Sequence, residues 1–299
     1  MTGAAGGGDP GTTADLSALA AWIGRSERHV DRVTRVPVAA LNATLDRDEG
    51  APQEGDPIAP LRHWLFFLPL HRASEIGPDG HARRGAFLPP VPLPRRMWAG
   101  GRLEFRRPVR IGDTIERESR IVRVDVKEGR TGTLVFVLVR HEITAAGDLA
   151  IVEEHDIVYR DLARSSDPPP PKKPAPHVAA AETAWRRDVT PDPVLLFRYS
   201  ALTFNGHRIH YDHKYVTEVE GYPGLIVHGP LLATLLVDLA RDRASPREVA
   251  AFSFRAVMPL FDTAPFAICG RPAPDGASLA LWAQDTEGNL AMEATATLR

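Results

Sequence analysis

The chain has 299 residues, 43 % of them apolar and 25 % charged, with a formal net charge of −2. Those proportions are ordinary for a folded globular protein and leave no basic field that would attract nucleic acid. The single cysteine, Cys269, excludes an internal disulfide, and no stretch approaches the ~20 consecutive apolar residues of a membrane-crossing helix.

The N-terminus, "MTGAAGGGDPGTTADLSALAAWIG", has no basic segment ahead of an apolar core. No secretory signal is therefore expected, and the expected location is cytoplasmic. Residues 1–13 are glycine-rich and are predicted to be disordered. "TADLSALAAWIGR" follows with a Thr/Asp start and apolar residues at helical spacing, which predicts a helix. Further on, "PRRMWAGG" gathers Arg95, Arg96 and Trp98, with Arg102 close behind. Such a group can hold the polar end of an acyl chain or meet coenzyme A phosphates. It can equally be solvated arginines beside a packed tryptophan.

Period-2 alternation in "RIVRVDV" and the near-continuous apolar run "TLVFVLV" predict long antiparallel strands, with "EGRTG" as the hairpin turn between them. "RSSDPPPPKKPAPH", Arg164 to His177, can continue neither a helix nor a sheet ladder. It is predicted to be an extended linker (164–177) that separates a first domain, 14–163, from a second, 178–299.

The second domain opens with a short predicted helix from about Pro193. "TFNGHRIHYD", "GYPGLIVHG" and a mostly apolar helix from Gly229 to Arg243 follow. Its last segments echo the first domain. "SFRAVMPLFDTAPF" matches "EFRRPVRIGDTI", and "LALWAQDTEGNLAMEATATLR" matches the strand–turn–strand that ends in "LAIVEEHDIVYR". The chain thus reads as two fused copies of one small α+β unit, each an antiparallel sheet wrapped around a helix. Cys269, in the apolar run "PFAICG", is predicted to be buried and inert.

Asn205 and His210, five apart in a turn, can converge on one point. Imidazole suits proton transfer near neutrality, and an amide can orient a water but cannot take its proton. Both could also merely satisfy turn backbone groups. His207, His210 and His213 would share a face of a helix and suggest a metal, but Gly206 argues for a turn, and no metal is expected. Pro230 at the first helical position leaves the N–H groups near Gly229 pointing out of a helix N-terminus, an electropositive end suited to an oxyanion. The same residues could simply start a buried helix.

With "NGHRIHYD" followed by "IVHG" ahead of a central helix, and with the duplication, the chain resembles the MaoC-like hydratase/dehydratase family of the hot-dog fold. That family carries Asp-x-Asn-Pro-Leu-His-x-Asp and then Val-His-Gly. "FLPPVPLPRRMWAGG" in a degenerate first unit is similar to a double-hot-dog subfamily. It includes mesaconyl-C4-CoA (3-methylfumaryl-CoA) hydratases and mitochondrial-type 3-hydroxyacyl-thioester dehydratases.

The resemblance implies reversible hydration of a 2-enoyl-CoA thioester. His210 would be the base, Gly229 the oxyanion-hole donor and Asn205 the water-orienting amide at the family's aspartate position. His207 would be a second titratable group. The family's central-helix serine falls on Val237 and is absent. The first unit would have kept the scaffold and lost the site. No cofactor is implied, and coenzyme A arrives only as part of the substrate. Arg198, Arg208, Tyr199, Arg95, Arg96 and Trp98 are the candidate substrate-binding residues. Arginine richness favours a short branched or dicarboxylic acyl group. The alternatives are a 3-hydroxyacyl-thioester dehydratase of fatty acid synthesis, a non-catalytic acyl-thioester binder, a subunit that stabilises a partner, and a thioesterase using Asp238. A homodimer is expected; nucleic acid and membrane partners are not.

Overall fold

In a computed structural model, residues 16–129, 132–161 and 183–299 are described. The proline-rich segment 164–177 and residues 1–13 lie outside them. Among the described residues, ten strands form one antiparallel sheet: β1 (Ser26–Arg32), β2 (Arg95–Phe105), β3 (Thr114–Gly129), β4 (Gly132–Ala145), β5 (Asp148–Arg160), β6 (Trp185–Val189), β7 (Val249–Ala256), β8 (Phe266–Pro272), β9 (Ser278–Gln284) and β10 (Leu290–Leu298). Their spatial order is β1-β3-β4-β5-β2-β7-β10-β9-β8-β6. Each half uses the same internal order, and the two halves meet edge to edge through β2 and β7, which run antiparallel. That palindrome is the architecture of a double hot dog, and it bears out the repeat read from the sequence.

The seam explains "AGG". Gly100 to Glu104 pair with Ala251 to Arg255. A Cβ on Gly100 would stand 2.6 Å from the carbonyl oxygen of Phe254, so only glycine lets the two backbones approach this closely.

The helices differ between halves. In the second, α4 (Gly229–Ala244) is buried along nearly its whole girth and packs on the sheet's inner face, as its apolar sequence requires. Shorter helices α2 (Pro193–Leu202) and α3 (His213–Glu218) precede it, capped by Asp192 and Asp212 through the N–H groups of Leu195 and Tyr215. In the first half, α1 (Arg35–Thr44) matches α2, but among the described residues nothing matches α4. Its place is taken by a 3₁₀ turn, Arg62–Leu65, and irregular chain. The helix predicted from "TADLSALAAWIGR" is also a 3₁₀ helix where described, Leu16–Trp22. It packs Leu19 against Ile121, Val137 and Tyr159. No described helix is long and apolar enough to cross a membrane.

Without a central helix, the first half leaves a cleft of about 1220 Å³ along the inner face of its sheet. That face is apolar at both ends and polar in the middle. Alternate positions on β3, β4 and β5 place Arg117, Ser119, His141, Glu153 and His155 in a belt that lines or adjoins the cleft. Glu153 is almost fully buried and accepts hydrogen bonds from His63 (2.9 Å), Trp64 (2.8 Å) and His155 (2.5 Å). Burial pushes its carboxyl upward, but the two imidazoles beside it prevail and hold it well below the usual range.

Candidate active site

Both halves contribute to one wall of the cleft. As α2 ends, Phe204 enters the left-handed region at φ 50°, an uncommon conformation for an aromatic residue that turns the chain toward the cleft. Asn205 follows and lines the cleft. Its Oδ1 accepts the backbone N–H of His207 at 3.0 Å, which leaves the NH₂ group as the polar end free for a ligand.

His210 is buried, and its Nδ1 lies 2.7 Å from the carbonyl of Ile226. A carbonyl only accepts, so Nδ1 carries the proton and Nε2 is left as a base. The imidazole of His228 stacks on His210 at 3.7 Å and is itself hydrogen-bonded to Ser200 at 2.8 Å. His228 is the N-cap of α4, so the stack puts His210 beside the start of that helix. Gly229 is the first helical residue, one position earlier than Pro230, and by helix geometry its N–H has no acceptor within the helix. Pro230 lines the cleft with Asn205, Tyr199 and Ser200. Asn205 and the first turn of α4 thus line one cleft, and the stack on His228 sets His210 next to that helix start.

His207 departs from the sequence expectation. It lies beside His81, which comes from the first half, with ring centroids 4.0 Å apart, and edge-on to His210 at 5.6 Å. His81 Nδ1 is 3.1 Å from Asp79. Ligand atoms of Asp79, His81 and His207 lie within 4.8 Å of one another. His213 is exposed at the start of α3, so the H-x-x-H-x-x-H run does not converge.

Burial lowers the pKa of His81, His141, His207, His210 and His228. His210 falls to about 4 despite the Ile226 hydrogen bond, and His207 to about 2, with His81 and His210 adding to the effect of burial. His81 is lowered by burial against the opposing pull of Asp79. His228 and His141 are lowered well below the usual value, again mainly by burial. Because unfolding returns all of them to about 6.5, the unfolded state takes up protons that the folded state refuses. Stability is therefore fully present above about pH 6.5 and falls as the pH drops toward 4, by up to ~1.4 kcal/mol per pH unit for each group that stays neutral when folded. Urea midpoints measured from pH 7.5 to pH 4.5 are expected to fall steeply below 6.5. A flat profile would mean that these imidazoles are already hydrated.

The candidate substrate residues separate by strand alternation and by prior pairing. Arg96 and Trp98 point into the cleft from one face of β2. Arg95, on the opposite face, is tied to Glu220 at 3.4 Å and lies over Tyr222. Arg102 is on the surface, paired with Glu154 and Asp156. Arg198 is exposed on α2 and does not line the cleft. Arg208 is engaged by Asp212 at 2.8 Å, by the carbonyl of Pro78 and by the ring of Tyr215. Arg95 and Arg208 are thus engaged within the protein and Arg198 lies on the surface, none of the three among the residues that line the cleft, whereas Tyr199 lines it, buried.

Asp238 is no thioesterase carboxylate. It is fully buried and bonded to Arg62 and Arg241 at 3.0 and 3.1 Å. Cys269 is buried as expected, and burial raises its thiol to about 11, which keeps it inert. Sequence reasoning missed Asp79, His81, His228 and the Glu153 belt. The one signal available for the belt was the polar residues at inward-facing strand positions in "RHEIT" and "VEEHD".

A profile of the family "Hydroxyacyl-thioester dehydratase type 2" matches residues 61–262. The chain is 48 % identical to "Mesaconyl-C(4)-CoA hydratase" of Chloroflexus aurantiacus, over 93 % of this chain and 97 % of that protein. It is 29 % identical to the mitochondrial "Hydroxyacyl-thioester dehydratase type 2" of Schizosaccharomyces pombe, over 71 % and 77 %. Among solved structures, a MaoC-like dehydratase from Phytophthora capsici superposes with a TM-score of 0.67 at 13 % identity, over 95 % of this chain and 99 % of that one. A double-hotdog protein of Mycobacterium tuberculosis superposes at 0.55 with 14 % identity, over 93 % and 96 %; these two likenesses speak to the fold. The family match spans both the segment bearing His81 and the turn bearing His210, and the chain belongs to the hydroxyacyl-thioester dehydratase type 2 family of hydro-lyases.

Proposed function

We propose that the protein reversibly hydrates a short dicarboxylic 2-enoyl-CoA, with mesaconyl-C4-CoA as the preferred substrate. His210 Nε2 takes a proton from the attacking water as its oxygen bonds to C3, and the NH₂ of Asn205 holds that oxygen. The C2=C3 electron pair moves onto the thioester oxygen, where the Gly229 N–H stabilises the developing charge. A preorganised donor of this kind is worth ~3 kcal/mol, and acid–base help about 10²–10⁴-fold. C2 then receives the proton. One chain already joins two hot-dog units, so the site needs no second chain. No metal or redox cofactor takes part in this scheme, and a cytoplasmic location belongs to the same reading.

The observation that favours a diacid is the placing of Arg96. In a C5 acyl group such as 3-methylfumaryl, whose free carboxylate is attached to C3, that carboxylate must lie within a few bond lengths of the attacked carbon. A cation that recognises it must therefore stand beside the catalytic histidines. Arg96 lines the cleft, acts electrostatically on both His81 and His207, and has no carboxylate ion-pair partner among the described residues. The 48 % identity to the Chloroflexus hydratase supports the same choice.

Arg96→Gln is expected to lower the ratio of kcat/KM for mesaconyl-C4-CoA over crotonyl-CoA by about 10–100-fold, the value of one charge-assisted hydrogen bond. An unchanged ratio in side-by-side assays would remove Arg96 from substrate selection. A wild-type preference for crotonyl-CoA would overturn the diacid reading.

A further inference from the structure

The site lacks the carboxylate that its motif calls for: Asn205 stands where the family resemblance places an aspartate, and an amide can move no proton. The first half brings a carboxylate to the same place. Residues 76–82 form a tight hairpin, closed by the Ile76–Ala82 bridge and the 2.7 Å bond from the Gly77 N–H to the His81 carbonyl. This hairpin is fastened onto the catalytic turn. The Arg208 N–H donates to the Asp79 carbonyl at 2.9 Å, and the Arg208 guanidinium to the Pro78 carbonyl at 3.0 Å. Gly80, at φ 88°, lies so close to Gly206 that a Cβ there would come within 1.8 Å of the Gly206 oxygen. Only glycine allows that approach.

The hairpin thereby sets His81 against His207, in the cleft wall with Asn205. Asp79 receives both the backbone N–H and the Nδ1–H of His81, each at 3.1 Å. A carboxylate behind an imidazole fixes its tautomer and stabilises its cation. His210 has only a neutral carbonyl behind it.

We infer that Asp79 and His81 are the second acid–base group of this active site, supplied by the half that carries no site of its own. The inference rests on the hydratase reading above. Both imidazoles start neutral. His210 takes the proton of water as the O–C3 bond forms and the C2=C3 pair moves to the thioester oxygen. That proton passes to His81, across the intervening His207, and Asp79 holds the resulting imidazolium. His81 delivers it to C2 as the enolate pair forms the C2–H bond and the carbonyl is restored. One water is consumed and both histidines end neutral. His81 is the catalytic residue of the pair, and Asp79 positions it.

Three proteins test this: wild type, His81→Gln and Asp79→Asn, each assayed for kcat, KM and thermal midpoint across pH. His81→Gln is expected to lose at least 100-fold in kcat, with KM within about threefold and an unchanged midpoint. Asp79→Asn keeps an oxygen for the His81 N–H and is expected to lose about 10–100-fold. Of the charged and titratable groups facing His81, namely Asp79, Arg96, Arg84, His207 and His210, only Asp79 raises its pKa. The acid limb of kcat/KM should therefore move to lower pH in Asp79→Asn, which a merely structural role would not produce. A His81→Gln enzyme within threefold of wild-type kcat would overturn the inference. So would one metal ion per chain, by elemental analysis of the purified protein, lost on mutating Asp79 or His81. Wild type inactive on every 2-enoyl-CoA would instead sink the hydratase reading itself.

Discussion

Replacing His210 with asparagine is expected to lower kcat for 2-enoyl-CoA hydration by about 10²–10⁴-fold, with a smaller effect on KM. Asparagine suits this test because its side-chain N–H can still donate to the Ile226 carbonyl that holds His210 Nδ1 at 2.7 Å. The turn keeps its tie while Nε2, the proton acceptor, is lost. The stack on His228 is lost too, so the thermal midpoint must be measured alongside; a modest drop is expected, with the fold retained. A variant that is folded and as active as wild type would take proton transfer away from this position.

The second large effect concerns stability. Arg62 is fully buried in the first half, and among the described residues the only hydrogen-bonding partner of its guanidinium is Asp238 on α4, at 3.0 and 3.2 Å. Asp238→Leu leaves that buried guanidinium without a hydrogen-bonded carboxylate, which costs about 3–5 kcal/mol. The urea midpoint should fall accordingly. Arg62→Met combined with Asp238→Leu should regain most of the loss, because two apolar groups replace two charges. Activity of the folded double variant should stay near wild type, since neither residue lines the cleft. A single-variant loss below about 1 kcal/mol would mean that Arg62 has another outlet for its charge.

Much of the fold could be read in the sequence because its signals are local. The alternation in "RIVRVDV", the apolar girth of Gly229–Ala244 and the paired strand–turn–strand segments each depend on residues a few positions apart. They yielded the strands, the central helix and the duplication. The reading went astray at the first-half helix. Its counterpart to α4 has dwindled to the turn Arg62–Leu65, and inference by analogy with the second half could not reveal a missing element. The chemistry was partly legible for the same reason. Asn205, His207 and His210 sit in one turn, and Gly229 starts a helix that its own sequence announces.

The sequence by itself determined the repeat, the strand pattern and the identity of the residues in the "NGHRIHYD" turn, because backbone propensity and side-chain period act between near neighbours. Only the tertiary structure decided which of those residues face one cleft. Strand parity turned Arg96 inward and Arg95 outward, and ion pairing tied Arg208 to Asp212 and Asp238 to Arg62. Packing across the two halves brought Asp79 and His81 to a turn more than a hundred residues away. Contacts at that separation are fixed by how the sheet closes and by where glycine lets backbones touch, and no short window of sequence records either.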